Sequence, residues 1–164
     1  MKQYIKFVEK LNTVFMGVSV VLLIVVMIAS ILQVVTRTLF NNPMVGTEEV
    51  ARFAFIWVSF LGSAIGVSKF THPTVDMLNN ALKGNTKRMH LILTQIFIMA
   101  FGVVLLIHGR RITEVVVKQL SPTLRISMAY IYAACPVGGI GIILNALAVI
   151  FDQITGITEG EVKV

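Results

Sequence analysis

The chain has 164 residues, of which 56% are hydrophobic and only 13% are charged, and its mean hydropathy is +0.86. Soluble domains carry about 25% charged residues, so this composition excludes an ordinary soluble protein and indicates an integral membrane protein. The net charge of +6 does not indicate nucleic-acid binding, because the basic residues are spread over predicted helix ends and loops. Cys135 is the only cysteine, which excludes an intramolecular disulfide, a CxxC redox site and a cysteine-rich metal site.

The first predicted membrane span covers residues 14–36. Residues 11–36 are all uncharged, a stretch longer than the apolar core of a signal peptide, so we expect a retained transmembrane helix. Before it, three lysines alternate with apolar residues, which is typical of an amphipathic or interfacial lead-in. These lysines are Lys2, Lys6 and Lys10.

The second predicted span, residues 46–69, is charged at its start. Its uncharged part, residues 53–68, would extend about 24 Å as a helix, whereas the hydrocarbon core of a bilayer is about 30 Å thick. The helix must therefore include the preceding turn, in which Glu48 and Arg52 are spaced i,i+4 and Glu49 and Arg52 i,i+3. Either these charges face protein, in this chain or in a partner subunit, or they lie among the lipid headgroups and mark the helix end.

The same span carries a small-residue face. Gly62 and Gly66 form a GxxxG pattern, and Ser59 and Ser63 lie in a parallel row, so this face could pack closely against another helix. Trp57 lies one to two turns inside the charged end, where it could be an interfacial anchor or a packed core aromatic.

A short amphipathic helix on the membrane surface is predicted at residues 73–82, because its apolar residues share one helical face and Pro73 suits a first turn. His72 and Asp76 are spaced i,i+4 and could hydrogen-bond. The pair could serve as a proton relay or partner contact, or it could simply stabilise the helix start.

The third span is predicted at residues 88–110, with His90 and His108 near its opposite ends. The two histidines are about 27 Å apart along one helix and cannot ligate the same haem iron. Haem ligation would therefore require assembly with other chains.

The fourth span is predicted at residues 126–151 and contains Pro136 close to several glycines. A proline-broken helix could form a substrate site, with Asn145 as its polar group, as in some secondary transporters. The alternative is a kinked packing helix without a substrate role.

Four spans place both termini on the same side of the membrane. With both termini in the cytoplasm, eight of the fourteen Lys and Arg residues lie inside and six lie outside, and this excess favours that orientation. The basic residues are also candidates for lipid-headgroup contacts.

The sequence contains no HExxH motif, Walker loop, GxSxG elbow or catalytic carboxylate pair, so we do not expect an enzyme. The predicted fold is an all-α integral membrane protein, a single domain over residues 1–164. It has four transmembrane helices and a short interfacial amphipathic helix between the second and third. Its polar features lie at helix ends, which indicates a protein that packs against something larger.

Two motifs resemble a known family. The first is Glu48-Glu49-x-Ala51-Arg52, followed by Trp57, by residues 60–64 and by His72 and Asp76; the second is the entry to the last span, residues 121–127 with Tyr130, Tyr132 and Pro136. This pattern resembles the small membrane subunit of tripartite ATP-independent periplasmic (TRAP) transporters over nearly the whole chain. The sequence departs from the family at Ser127, where a proline is often found.

The resemblance implies a partner-dependent role in a bacterial inner membrane. In this family a large multi-span subunit carries the elevator-type transport domain with the sodium and substrate sites, and a periplasmic binding protein delivers an organic acid such as a C4-dicarboxylate or sialic acid. The small subunit braces the large one, so no cofactor, metal or substrate site is expected in this chain. By position, the residues of the second span would make helix-packing or intersubunit contacts, and those beyond it would order the cytoplasmic surface helix. The first set is Glu48, Glu49, Arg52, Trp57, Gly62 and Gly66; the second is His72 and Asp76.

Two alternatives stay open. One is an autonomous homo-oligomeric transporter that uses the Pro136 break and Asn145 as its site. The other is a membrane anchor of a redox enzyme that uses His90 or His108.

Overall fold

The computed structural model describes residues 2–39, 46–68 and 85–155. These residues form five helices: α1 (Lys2–Leu39), α2 (Thr47–Ser68), α3 (Asn85–Val115), α4 (Ala129–Tyr132) and α5 (Ala134–Thr155). The all-α membrane fold is confirmed, because the described residues contain four helical stretches long and apolar enough to cross a membrane, the last made of α4 and α5 together. The predicted surface helix at residues 73–82 lies outside the described residues, as do His72 and Asp76.

Helix α1 includes the lysine-rich lead-in as well as the first span. Its 38 residues correspond to a length of about 57 Å. The lead-in packs against the last helix: Val8 is buried, the Tyr4 hydroxyl donates a hydrogen bond to the Leu144 carbonyl over 3.1 Å, and the Tyr4 ring meets Phe151 edge-on. The first turns of α1 therefore belong to the packed structure.

Helices α2 and α5 are central in the described structure. α5 packs against α2, α3 and the N-terminal part of α1, and α2 also packs against α1, whereas α1 and α3 make at most marginal backbone contact. Half of the most apolar stretch of the last span is buried, compared with 6% of that of α1. The helices thus form an open arrangement, with α1 and α3 on the outside.

Glycines let α3 and α5 touch through their backbones. A Cβ atom added to Gly139 would lie 2.9 Å from the Gly102 carbonyl oxygen and 3.0 Å from the Leu106 nitrogen. A Cβ on Gly109 would lie 2.8 Å from Cys135 Sγ and 2.9 Å from Pro136 Cδ. Side chains larger than hydrogen cannot fit at these positions without separating the helices.

The contact between α2 and α5 follows the same principle. A Cβ on Gly138 would lie 2.8 Å from Phe60 Cβ, and one on Gly141 would lie 2.8 Å from Ala64 Cβ. Just beyond this contact lies the hydrophobic core, a cluster of buried residues that Phe15 of α1 and Ile98, Met99 and Leu105 of α3 complete. The buried residues are Ala64, Val67, Ile142 and Ala146.

The last span contains Pro136, as predicted, and is interrupted at Ala133, three residues before the proline. Proline has no backbone N–H to bond the carbonyl of Tyr132, four residues earlier, and its ring crowds that carbonyl. The helix therefore stops at Tyr132 and restarts at Ala134, with Pro136 in the first turn of α5 and the Val137 N–H bonded to the Ala133 carbonyl over 3.2 Å. Residues 126–128 belong to the loop before the span.

Candidate functional site

Glu49 ties the start of α2 to the loop between α3 and α4. Its side chain is 7% exposed, and its carboxylate accepts three hydrogen bonds, from Ser121 Oγ at 3.0 Å, the Leu124 N–H at 3.0 Å and the Thr123 N–H at 3.2 Å. Backbone N–H groups in a loop without helix or sheet partners need such an acceptor, and a carboxylate is a strong one. Glu49 therefore fixes the position of this loop.

The loop, residues 116–128, is a short hairpin, named here the α3–α4 hairpin. The Ser121 N–H bonds the Ile126 carbonyl at 2.9 Å, and the Met128 N–H bonds the Gln119 carbonyl at 2.8 Å. Arg125 adopts a left-handed backbone conformation with φ of 55° at the tip. Gly46, with φ of 102°, lets the chain turn beneath the hairpin into α2. A Cβ atom added to Gly46 would lie 3.4 Å from the side chains of both Thr123 and Leu124.

Glu48 and Arg52 point away from the bundle. They form an i,i+4 ion pair in which both side chains are mostly exposed. The charged cluster predicted at this end thus divides: Glu49 faces protein within this chain, whereas Glu48 and Arg52 lie on the outer surface of α2. Arg52 bonds Glu48, one of the two partners that the spacing allowed.

Trp57 joins α2 to the last span at the same end of the molecule. Its half-buried indole Nε1 donates a hydrogen bond to the Tyr130 carbonyl over 3.1 Å, just after the α3–α4 hairpin. Tyr130 itself is 73% exposed. Trp57 therefore makes a packing contact, and its predicted role as an interfacial anchor stays a prediction.

Gly62 and Gly66 leave space beside α2, since a Cβ on either would have nothing within 4 Å among the described residues. They continue a stripe that starts at the Glu48–Arg52 pair, which we name the outer face of α2. Within it, Ser59 Oγ donates to the Phe55 carbonyl at 2.8 Å and Ser63 Oγ to the Ser59 carbonyl at 2.7 Å. The hydroxyls are thus satisfied by their own helix. The outer face comprises Glu48, Arg52, Phe55, Ser59, Gly62, Ser63 and Gly66.

A pair of asparagines, which the sequence analysis did not connect, holds α1, α2 and α5 together. Asn145 is fully buried; its Oδ1 accepts a hydrogen bond from Asn12 Nδ2 at 2.7 Å, and its Nδ2 lies within bonding distance of Asn12 Oδ1, the Ala64 carbonyl and the Gly141 carbonyl. The only sequence signal for this contact was a lone asparagine at the start of the first apolar run. The side-chain amide of Asn145, a predicted substrate-binding group, is hydrogen-bonded to other groups of the same chain through both its oxygen and its nitrogen.

The two histidines do not converge. Both lie on α3, His90 half-buried near one end and His108 exposed near the other. Within the described residues, no group of three or more His, Cys, Asp or Glu side chains is arranged to hold a metal ion.

Comparison with known proteins gives consistent matches. Residues 26–156 match the family model described as tripartite ATP-independent periplasmic transporters, DctQ component. The chain is 27% identical over 132 residues to the sialic acid TRAP transporter permease protein SiaT of Haemophilus influenzae, a match that covers 80% of this chain but only 21% of that relative.

Two shorter relatives are matched over more of their length. The sialic acid TRAP transporter small permease protein SiaQ of Vibrio cholerae is 25% identical over 121 residues, which is 73% of this chain and 69% of that protein. A putative TRAP transporter small permease protein of Haemophilus influenzae is 29% identical over 133 residues, 80% of this chain and 82% of that protein. Because the family model covers most of the chain, this multi-pass membrane protein belongs to the DctQ component family of tripartite ATP-independent periplasmic transporters.

Proposed function

We propose that this chain is the small, non-catalytic scaffold subunit of a sodium-coupled secondary transporter that takes up an organic acid. The relatives named for sialic acid support one substrate class, and a C4-dicarboxylate TRAP transporter small permease protein of Vibrio cholerae, 29% identical over 75 residues, supports another. The observation that carries the scaffold role is the Asn12–Asn145 pair. Asn145, the most deeply buried polar residue among the described spans, forms hydrogen bonds with Asn12 of α1 and the Ala64 carbonyl of α2. It therefore supports the fold instead of offering a substrate site.

The packing of the bundle suits a brace. α5 contacts α2 and α3 with glycines at the crossing points, so these three helices resist sliding or separating. A transport domain that moves relative to a fixed partner needs such a stationary element. The sodium and substrate sites would then lie in the large multi-span subunit, and this chain would need no cofactor.

The outer face of α2 is our candidate for contact with that large subunit. Gly62 and Gly66 would let a partner helix approach its backbone, and the Glu48–Arg52 pair would lie at the edge of the contact. Trp57 and Glu49 would hold α2 in place from the inner side.

We further propose that both termini lie in the cytoplasm of a bacterial cell, with the chain in the inner membrane. The α3–α4 hairpin and Glu49 then face the periplasm, from which the substrate-binding protein approaches. His72 and Asp76 would order the cytoplasmic surface helix.

Purification in mild detergent from the native membrane tests the scaffold role. We expect a large multi-span protein to be recovered with the chain in roughly equal amount, and Gly62→Leu with Gly66→Leu to reduce its recovery. Gly17→Leu is the matched control, because a Cβ at Gly17 also meets nothing within 4 Å but lies on α1. If the chain is recovered alone and transports an organic acid in liposomes by itself, the scaffold proposal is wrong.

A further inference from the structure

The α3–α4 hairpin lies at the depth of the lipid headgroups. Helix α2 has 22 residues and a length of about 33 Å, barely more than the roughly 30 Å hydrocarbon core, so its first turn must lie at the membrane surface. Glu49, in that turn, binds the tip of the hairpin through Ser121, Thr123 and Leu124. Tyr130, a residue type that prefers the interface, follows the hairpin directly and is largely exposed, and its carbonyl accepts the hydrogen bond of the Trp57 indole.

The hairpin exposes apolar side chains that the bundle does not cover. Val117, Leu120 and Ile126 are each more than two-fifths exposed, and Leu124 is only slightly less so. In a headgroup layer such side chains can enter the boundary with the acyl chains, which removes their apolar surface from water.

Two cations alternate with these apolar residues. Lys118 and Arg125 are exposed, and neither takes part in an ion pair within the described part of the chain. The sequence has no acidic residue between Glu114 and Asp152, and Glu49, which contacts the hairpin through Ser121, Thr123 and Leu124, forms no ion pair with either cation among the described residues. Arg125 also occupies a left-handed backbone position that glycine would adopt at lower energy, so the chain carries a long cation there at a conformational cost.

We infer that the α3–α4 hairpin binds the phosphate of an anionic phospholipid. Lys118 and Arg125 contact the headgroup, and the exposed apolar residues of the hairpin enter the acyl boundary. An acidic protein surface would match the two cations, but the headgroup depth and the interleaved apolar side chains favour lipid. This inference does not depend on the transport role or on which leaflet the hairpin faces.

Trp57 provides a local probe, because it is the only tryptophan in the chain and its indole bonds Tyr130 next to the hairpin. The full chain would be reconstituted in phosphatidylcholine vesicles in which either brominated phosphatidylglycerol or brominated phosphatidylcholine replaces part of the lipid. Bromine quenches nearby tryptophan fluorescence. We expect brominated phosphatidylglycerol to quench Trp57 at about thirtyfold lower mole fraction, a factor of about five for each of the two basic side chains at the membrane surface.

In the variant Lys118→Gln/Arg125→Gln, the two brominated lipids should quench Trp57 equally. Lys6→Gln/Lys10→Gln, which removes the same charge from exposed positions near the opposite end, should keep the wild-type preference. Arg125→Gly separates folding from binding, since it should leave the thermal midpoint unchanged or raised while lowering the preference.

Equal quenching of the wild type by both lipids would overturn the inference, as would a preference that survives in Lys118→Gln/Arg125→Gln. If the wild type shows no lipid preference and the double variant instead loses association with an acidic partner protein, the hairpin is a protein-docking surface and the lipid assignment is wrong.

Discussion

The two sides of helix α2 differ in what their polar and small residues do. On the inner side, Glu49 binds the α3–α4 hairpin and Ala64 meets Gly141 of α5. On the outer side, Arg52 bonds Glu48, and a Cβ on Gly62 would meet nothing within 4 Å among the described residues. Glu48 and Glu49 are adjacent in sequence, but their side chains point about 100° apart around the helix. Glu48 therefore forms an exposed ion pair, whereas Glu49 is buried and bonds the hairpin. Residue type at this helix end therefore does not determine role; the direction of the side chain does.

The same comparison applies to the glycines. A Cβ on either glycine of the GxxxG pattern on α2 would meet nothing within 4 Å among the described residues, whereas the close contacts between α3 and α5 use Gly102, Gly109 and Gly139. A GxxxG pattern indicates that a helix can be approached closely, but it does not identify which helix approaches.

The largest effect is expected from filling a closed glycine contact. Gly139→Ala places a Cβ 2.9 Å from the Gly102 carbonyl oxygen, which belongs to backbone and can yield only if the helices move. We expect a loss of about 1–3 kcal/mol in stability, measured by thermal or denaturant unfolding in detergent. Gly62→Ala is the control and should leave the unfolding midpoint of the isolated chain unchanged. Equal losses in the two variants would remove the distinction between closed and open faces.

The next largest effect is expected at Glu49. Glu49→Gln presents an amide NH2 group to a set of hydrogen-bond donors, so at least one donor from Ser121, Thr123 or Leu124 loses its acceptor. We expect the thermal midpoint to fall by several degrees and the amide hydrogens of residues 121–126 to exchange faster. Glu48→Gln, which changes an exposed carboxylate, is the matched control and should change neither. If Glu48→Gln is the more harmful of the two, the inner and outer assignments are reversed.

A smaller effect is expected from the asparagine pair, which extends the inner side of α2 through the Ala64 carbonyl. Asn145→Leu leaves Asn12 without its partner, and interhelical hydrogen bonds in membranes contribute about 1–2 kcal/mol at most. Unfolding in detergent should show a loss in this range. A double-mutant cycle with Asn12→Leu should give less than the sum of the single losses, because the two amides share one interaction. Strict additivity would show that they act separately.

The smallest effect is expected at Arg52. An exposed ion pair contributes little to stability, so Arg52→Gln should leave the unfolding midpoint of the isolated chain within experimental error. If the outer face of α2 contacts the large subunit, the same variant should weaken recovery of that subunit. A marked destabilisation of the isolated chain would indicate that Arg52 serves this chain's own fold.

Much of the fold could be predicted because hydrophobic length determines it. Uncharged stretches about as long as a bilayer is thick predicted four spans. The described residues contain four helical stretches long and apolar enough to cross a membrane. Pro136 predicted that the last span would be interrupted, but the predicted position was the proline itself. The hydrogen bond that proline cannot make belongs to the carbonyl four residues earlier, and the interruption lies at Ala133.

The site could be predicted only in part. The spacing of Glu48, Glu49 and Arg52 indicated charge pairing within one turn, but it held no information about the hairpin 72 residues later whose Ser121 hydroxyl binds Glu49. The pairing of Asn12 with Asn145 is equally remote, at 133 residues of separation. Contacts of this kind depend on how helices are arranged side by side, and a single sequence does not encode that arrangement in any local pattern.

The position of α5 in the chain has a consequence for biosynthesis. Helices α1, α2 and α3 leave the ribosome before α5, yet α5 contacts all three. Until it enters the bilayer, Asn12 has no Asn145 to bond, and the glycine surface of α3 is uncovered. Helices α1 and α2 can pack against each other early, but the packing of α3 and the asparagine pair must wait for α5. A nascent chain interrupted within α5 would expose polar groups and open helix faces to the proteases that survey the membrane.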